Sequence, residues 1–357
     1  MQLITCNATY GAGGLGNLLA EAVERARDEG LPFQYIAGGV KAGDEPIAVV
    51  IGSRLSSTLN RLPPIRFNPG WRQYLAFDLF DRAAARRLHA KYGSVLAFAG
   101  QALRTFRRAR TLGCKRLELL SPTAHVNHVW RQHRRAHAQY PIERDWLSPA
   151  HRDKVLAEYE MADVILVVSE YVRQTFLDEG VAPQKLRPFP VRVHARFRPE
   201  ARDRDDDDGV FRVVYTGALS VVKGVPLLID AFERLSIRDA ELTLVGGSGT
   251  RGMRRYLQRA IRRDPRIRIA PGDPLPHLCR ADVYVHPSYQ DGFAYAAAEA
   301  LACGVPVIVT QDTGAKDRVV EGVNGWVVPT GDVDAIHARL DQLARPGTRS
   351  RAATCAS

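Results

Sequence analysis

Two acids with seven residues between them, Asp291 and Glu299, bracket the first turns of an alanine-rich stretch, and Lys223 stands beside Gly224 after an apolar run. On a helix this spacing places Glu299 about two turns beyond Asp291. The amides of Gly292, Phe293 and Ala294 would gather at the helix start, where unpaired N–H groups and the helix dipole suit a phosphate. A lysine next to a glycine at a strand-to-helix turn suits the same group. A long ligand with an anionic middle and hydroxyls at both ends fits this pattern, and a nucleotide diphosphate sugar is such a ligand. On these residues alone, two solvated acids and an ordinary surface lysine remain an alternative.

The elements that must position these groups can be read around them. Residues 281–286 read as a strand, Pro287 and Ser288 as a turn, and Ala294–Ala302 as a helix stopped by Gly304. The next strand is 305–309, apolar throughout, as buried parallel strands are. Upstream, strand 211–215 leads through Gly217 to Lys223 and a helix over 225–235. Strand 241–245 ends at Gly246, where a glycine permits close approach of a ligand. Strand 266–269 leads to Gly272.

The first half of the chain repeats the rhythm. Strand 2–6 precedes a glycine-rich loop, and Gly11, Gly13 and Gly16 satisfy the dinucleotide pattern G-x-G-x-x-G. The loop starts several residues after that strand, and strand 33–36 ends without a ribose-binding acid, so an NAD-dependent oxidoreductase is the weaker alternative. Residues 41–81 read as irregular. Strands 95–98, 116–120 and 164–168 and helices 100–110 and 170–179 follow. His125 falls where a strand end meets a helix start, with His128 three residues on; a lone histidine there is more often a structural one.

Two runs of alternating strands and helices predict an α/β protein of two Rossmann-like doubly wound domains. The expected boundaries are 1–200 and 210–344, with an acidic linker at 201–209 and a disordered tail at 345–357. A length of 357 residues suits two cores, and 45% hydrophobic with 25% charged residues is an ordinary globular composition. No apolar run reaches the length of a membrane span, which makes a cytoplasmic protein the default expectation. Five scattered cysteines indicate neither zinc nor a disulfide framework, and no carboxylate–histidine cluster has metal-ligand spacing. The net charge of +11 sits mainly in residues 1–200, with 29 basic against 19 acidic residues. Its clusters, Arg104–Arg116 and Arg131–Arg135, suit an anionic membrane surface or acidic acceptor; no recognition motif accompanies them, so nucleic acid is not expected.

The string from Pro287 to Val307 resembles the signature of the retaining family-4 (group 1) glycosyltransferases. Pro287, Ser288, Gly292, Phe293, Glu299, Ala300, Ala302, Gly304, Pro306 and Val307 match in one register. The stretches Glu158–Ser169, Gly217–Gly224 and Gly322–Pro329 are similar to further family segments, and the likeness covers most of 90–340. It implies a GT-B fold, with the domains facing across a cleft. It also implies retaining, metal-independent transfer of a sugar from a UDP- or GDP-linked donor to a hydroxyl acceptor in glycan, polysaccharide or glycolipid synthesis. The nucleotide sugar is then a substrate, and no cofactor is expected. Lys223 and the Gly292–Ala294 amides would hold the diphosphate, Asp291 the sugar hydroxyls and Glu299 the ribose. His125 would contact the sugar from the first domain, where Gly13 and Gly14 face the donor phosphates and acceptor. Gly217, Gly246 and Gly272 would line the nucleotide side. The sequence departs from the pattern at Asp291, where glutamate is usual, at Ala218, where arginine often stands, and in its short C-terminal segment. Those departures keep a non-catalytic nucleotide-sugar-binding relative as the alternative.

Overall fold

The computed structural model describes residues 1–39, 48–49, 68–199 and 208–345. Short apolar runs become parallel strands because helices cover both sheet faces, so neither face needs polar side chains. Val307–Thr310, for example, is buried at every position. The first sheet contains β1 (Gln2–Thr9), β2 (Phe33–Gly39), β3 (Ala48–Val49), β4 (Ser94–Phe98), β5 (Arg116–Ser121), β6 (Val164–Val167) and β7 (Leu186–Pro188), in the order β3-β2-β1-β4-β5-β6-β7. The second contains β8 (Phe211–Thr216), β9 (Ala240–Val245), β10 (Ile267–Ala270), β11 (Val283–His286), β12 (Val307–Thr310) and β13 (Gly325–Val328), in the order β10-β9-β8-β11-β12-β13. Both are doubly wound. The winding reverses between β1 and β4 in one sheet and between β8 and β11 in the other, and such reversals open a crevice at the carboxyl ends of the strands.

The chain divides into two compact units, residues 1–130 with 144–192, and residues 131–143 with 193–357. The first boundary therefore falls at Arg192, earlier than the expected 200, and a short segment of the first half groups with the second. Ala136 joins the second unit's apolar core with Tyr140 and Ile142 packed against it, Tyr140 donates to Asp230 Oδ2 (2.6 Å), and Glu143 accepts from the Val221 N–H (2.7 Å) and the Thr250 hydroxyl (2.6 Å). Of the expected linker and tail, residues 201–207 and 346–357 lie outside the described residues. Asp208, at the linker's end, pairs with Arg212.

Two further expectations change. Residues 41–81 are not irregular throughout: Pro69–Arg86 is a helix, whose Asn68 side chain accepts from the Trp71 N–H (3.1 Å). Asn at the cap with Pro in the first helical position is a start signal hidden by its proline-rich surroundings. Residues 40–47 and 50–67 of that stretch lie outside the described ones. The glycine-rich loop also does not lag behind its strand. β1 continues to Thr9, and the helix Gly13–Asp28 begins at once. The second strand still ends in glycine; at Gly38 an added Cβ would lie 2.5 Å from Asn7 Oδ1.

The start of the helix Leu103–Thr111 in the first unit is capped by two buried acids from other helices. Glu158 accepts from the amides of Ala102 and Leu103 (2.8 and 3.0 Å), and Asp81 from those of Arg104 and Thr105 (both 2.9 Å). Lys154, itself buried, lies 2.9 Å from Asp81. Removing one partner of such a set strands the remaining charges away from water. Asp81→Ala is expected to destabilise the first unit by about 3–5 kcal/mol. Urea unfolding followed by tryptophan fluorescence checks it, since Trp71, Trp130 and Trp146 all belong to that unit.

Candidate functional site

The loops that leave β8 and β11, on either side of the reversal in the second sheet, carry Lys223 and Asp291. Backbone contacts fix both loops. The Tyr289 N–H donates to Val222 O (3.0 Å), and the Gly224 backbone passes so close to Pro287 O that an added Cβ would lie 1.9 Å from it. With φ at +70°, Gly224 also occupies the left-handed region that only glycine adopts readily. From the other side, Asp291 N–H donates to Asp312 O (3.2 Å), and Gly314 N–H donates to Asp291 O (2.9 Å). Asp291 is thus held by main chain on both sides before its side chain acts.

The carboxylate is the meeting point of the site. Lys223 Nζ lies 2.5 Å from Asp291 Oδ2, and His286 Nε2 lies 3.1 Å from the same oxygen. The Ala294 N–H donates to Oδ1 at 3.3 Å. Burial works against the charge, but the Lys223 ammonium beside it, followed by the His286 hydrogen bond, holds the Asp291 carboxyl well below the usual carboxylate range. The sequence pattern assigns this carboxylate to sugar hydroxyls. In this state Asp291 is engaged, and its principal partner is the lysine expected to hold phosphate.

The helix Tyr295–Ala302 exists for two reasons. Alanine favours helix, and its small side chains let Ala297, Ala298 and Ala300 pack flush against the sheet. It begins one residue later than expected. Ala294 takes φ 58°, ψ 61°, and its amide serves Asp291, so the expected cradle of three waiting amides is reduced at that position. Left-handed backbone costs a non-glycine residue about 1–2 kcal/mol, which the burial of the Ala294 methyl group, about 0.8 kcal/mol, partly offsets. Gly292 is buried in the same turn. The Phe293 ring is packed 4.8 Å from the Tyr295 ring, with Arg318 lying 4.2 Å over it.

Glu299 lies two turns on, half-buried. Burial pushes its carboxyl above the ordinary range, the Arg196 guanidinium opposes that rise, and Asp273 adds to it. Arg196 and Asp273 form a two-pronged ion pair with both contacts at 3.0 Å. Gly272, exposed with φ +111°, is the neighbour of Asp273. Gly217 and Gly246 bring the loops after β8 and β9 together: an added Cβ on Gly246 would lie 1.9 Å from Gly217 O. Ala218 is exposed, and its carbonyl accepts from the Tyr215 hydroxyl (2.9 Å).

Three expected site residues belong to the first unit. Gly13 and Gly14 open the helix after β1 and are exposed. His125 is buried, with its ring centroid 4.9 Å from Tyr159 and 5.0 Å from Phe176, and its Nδ1 accepts from the Asn127 N–H (3.3 Å). That bond assigns the hydrogen of the neutral ring to Nε2. His128 packs edge-on against Tyr171 at 5.9 Å. Among the described residues no cluster of three or more His, Cys, Asp or Glu has the arrangement of a metal site.

Sequence reasoning missed His286, Arg196 and Arg318. His286 reads as one more strand residue, although a histidine closing an otherwise apolar strand is a signal that could have been followed. Arg196 and Arg318 meet their partners only through the fold.

Residues 210–345 match the protein family described as glycosyl transferases group 1. The chain is 33% identical over 217 residues to a GDP-mannose-dependent alpha-(1-6)-phosphatidylinositol monomannoside mannosyltransferase of Mycolicibacterium smegmatis, covering 52% of this chain and 54% of that protein. It is 33% identical over 153 residues to a D-inositol 3-phosphate glycosyltransferase of Kribbella flavida, covering 38% and 36%. The chain thus spans about half or less of the length of these curated relatives. Among solved structures, Anabaena HepE in complex with UDP and glucose superposes with a TM-score of 0.70 at 17% identity, over 100% of this chain and 94% of that one. WaaG, a glycosyltransferase involved in lipopolysaccharide biosynthesis, gives 0.69 at 15%, over 100% and 94%. These likenesses establish the two-domain α/β fold of GT-B glycosyltransferases.

The group 1 site makes a separable prediction. Lys223→Ala is expected to weaken UDP or GDP binding by roughly 1.5–3 kcal/mol, the range for a charge-assisted contact. Asp291→Asn, which removes the internal partner of Lys223, should tighten diphosphate binding while lowering turnover, whereas Glu299→Gln should weaken the diphosphate itself. Calorimetry with steady-state kinetics separates the three, and equal effects of both acid substitutions on binding would contradict the division of roles.

Proposed function

We propose that this protein is a retaining glycosyltransferase, moving a sugar from a nucleotide diphosphate sugar to a hydroxyl acceptor. The observation that carries the reading is the pairing of Lys223 with Asp291 at the reversal point of a group 1 domain. A mobile cation and a fixed carboxylate stand together where α/β sheets bind nucleotides. Lys223 neutralises the departing diphosphate, and the amides that open the helix Tyr295–Ala302 contribute their dipole. Asp291 orients the transferred sugar through its hydroxyls, and Glu299 holds the ribose. Gly217, Gly246 and Gly272 leave room for the nucleotide. The reaction needs neither metal nor cofactor; the bond from the anomeric carbon to the diphosphate breaks as the acceptor oxygen bonds to that carbon on the same face, and the hydroxyl proton passes to the leaving phosphate oxygen.

The names of the relatives favour a GDP-linked or UDP-linked hexose as donor and a phosphoinositol or lipid-linked glycan as acceptor. Incubation with GDP-mannose, UDP-glucose and related donors, with inositol phosphates or lipid acceptors, is expected to give a product that keeps the donor's anomeric configuration by NMR. Saturable donor binding without any product would favour the alternative reading of a non-catalytic relative, which Ala218 motivates. Binding of NAD instead would favour the oxidoreductase.

The first unit's basic cluster supports peripheral association with an anionic membrane. Half of the expected charge is engaged: Arg104 pairs with Asp78, Arg110 with Asp163 and Arg116 with Glu118. Arg107, Arg108 and Lys115 remain exposed and point to contact with lipid headgroups. No helix among the described residues is long and apolar enough to cross a membrane. Sedimentation with vesicles rich in phosphatidylglycerol, lost at high salt and on Arg107→Gln/Arg108→Gln, is the expected result. Equal sedimentation with neutral vesicles would exclude it.

A further inference from the structure

We propose that His286 is a standby hydrogen-bond donor, which keeps Asp291 ionised and aimed after Lys223 has left it for the donor diphosphate. The proposal rests on the donor-binding reading above and assigns a positioning residue to it. An ionised carboxylate only accepts hydrogen bonds, so the His286 Nε2 that stands 3.1 Å from Asp291 Oδ2 carries a hydrogen. The other ring nitrogen, Nδ1, is 3.2 Å from the Tyr284 hydroxyl, which in turn lies 3.3 Å from Thr216 O. Thr216 ends β8, and the loop that follows carries Lys223. The contacts therefore close a ring: β8 end, Tyr284, His286, Asp291, Lys223 and back to the β8 loop.

The two donors on Oδ2 differ in freedom. The Lys223 side chain is 29% exposed, on a flexible four-carbon stem, whereas the His286 side chain is only 3% exposed. Lysine can exchange one anion for another; histidine stays. When a diphosphate draws Lys223 away, Asp291 loses its nearest cation while the site gains negative charge. One acceptor position on Oδ2 is then free for a sugar hydroxyl, and the carboxylate needs a remaining donor to stay charged and in place. His286 supplies it. The ionisable groups around this ring are Asp291 and Lys223 on the two loops, Tyr284 on its own strand, Tyr215 on β8 and Glu299 on the following helix, each of which acts electrostatically on Asp291 or Tyr284. In the resting state the Lys223–Asp291 pair is a latch: Asp291 accepts a sugar only after the diphosphate has opened it.

The test compares His286→Leu, which removes the donor, with His286→Gln, whose amide reaches the same place as Nε2. The leucine variant is expected to lose about a hundredfold in kcat, the scale of a misplaced contact group, while UDP and GDP bind as they do to the parent protein. The glutamine variant is expected to recover most of the loss. If leucine weakens diphosphate binding in the same proportion as kcat, or glutamine restores nothing, His286 is merely structural and the proposal fails while the donor reading stands. If the parent protein binds no nucleoside diphosphate and transfers no sugar, the donor reading fails and this proposal with it. A further arm needs no ligand. Nitrogen-15 NMR of the parent protein, with the His286 signal assigned by its loss in His286→Gln, is expected to place the ring hydrogen on Nε2. A hydrogen on Nδ1 alone would overturn the proposal.

Discussion

The second unit depends on keeping one carboxylate charged in a place that is only partly wet. Burial opposes the charge on Asp291, and Lys223 and His286 together outweigh burial. Neither side chain could do so without the loops. The Gly224 backbone lies against Pro287, and the amide of Tyr289 is bound to Val222, so the lysine loop and the aspartate loop are tied to each other. The 312–314 segment braces Asp291 from the opposite side. Glycine at 224 and alanine at 294 are both consequences of this arrangement. The first relieves a close approach, and the second tolerates a left-handed turn because Asp291 itself receives the amide.

This arrangement changes how the signature of the family is read. Two acids and a lysine look in the linear sequence like three independent ligand contacts. In the folded unit they form one network in which the lysine and the first acid satisfy each other. A ligand at such a site does not fill vacant positions; it replaces an internal partner. On the function proposed above, the new pair with phosphate must outweigh the cost of breaking the internal pair, and a network of this kind favours selectivity over raw affinity.

The first unit follows the same winding but spends its buried charge on structure. Asp81, Glu158 and Lys154 lie inside, capping a helix start from neighbouring helices. Burial pushes the Glu158 carboxyl up to about 7, against the pull of Lys154 and the backbone donors. Its exposed glycines, Gly13 and Gly14, open the helix after β1, and its buried His125 lies just past β5. His125 nonetheless owes its orientation to Tyr159 and Phe176, which come from two different helices.

Periodicity and punctuation by themselves determined the alternation of strands and helices, the division into two doubly wound units, and the turn at Pro287–Ser288. They also located Lys223, Asp291 and Glu299, because glycine, proline and runs of alanine or valine act locally and leave a local trace. The helix Pro69–Arg86 was equally local, but its cap lay in a proline-rich setting that masked it. Only the tertiary structure decided which groups meet. His286 looks like any strand residue until β11 sets its ring against the loop that follows. Arg196 finds Asp273 across 77 positions of sequence. Lys223 and Asp291 are 68 positions apart, and their pairing exists only because β8 and β11 are neighbours in the sheet. Residue type and spacing fix what a side chain can do; strand order, which is set by the packing of the whole sheet, fixes what it does it to.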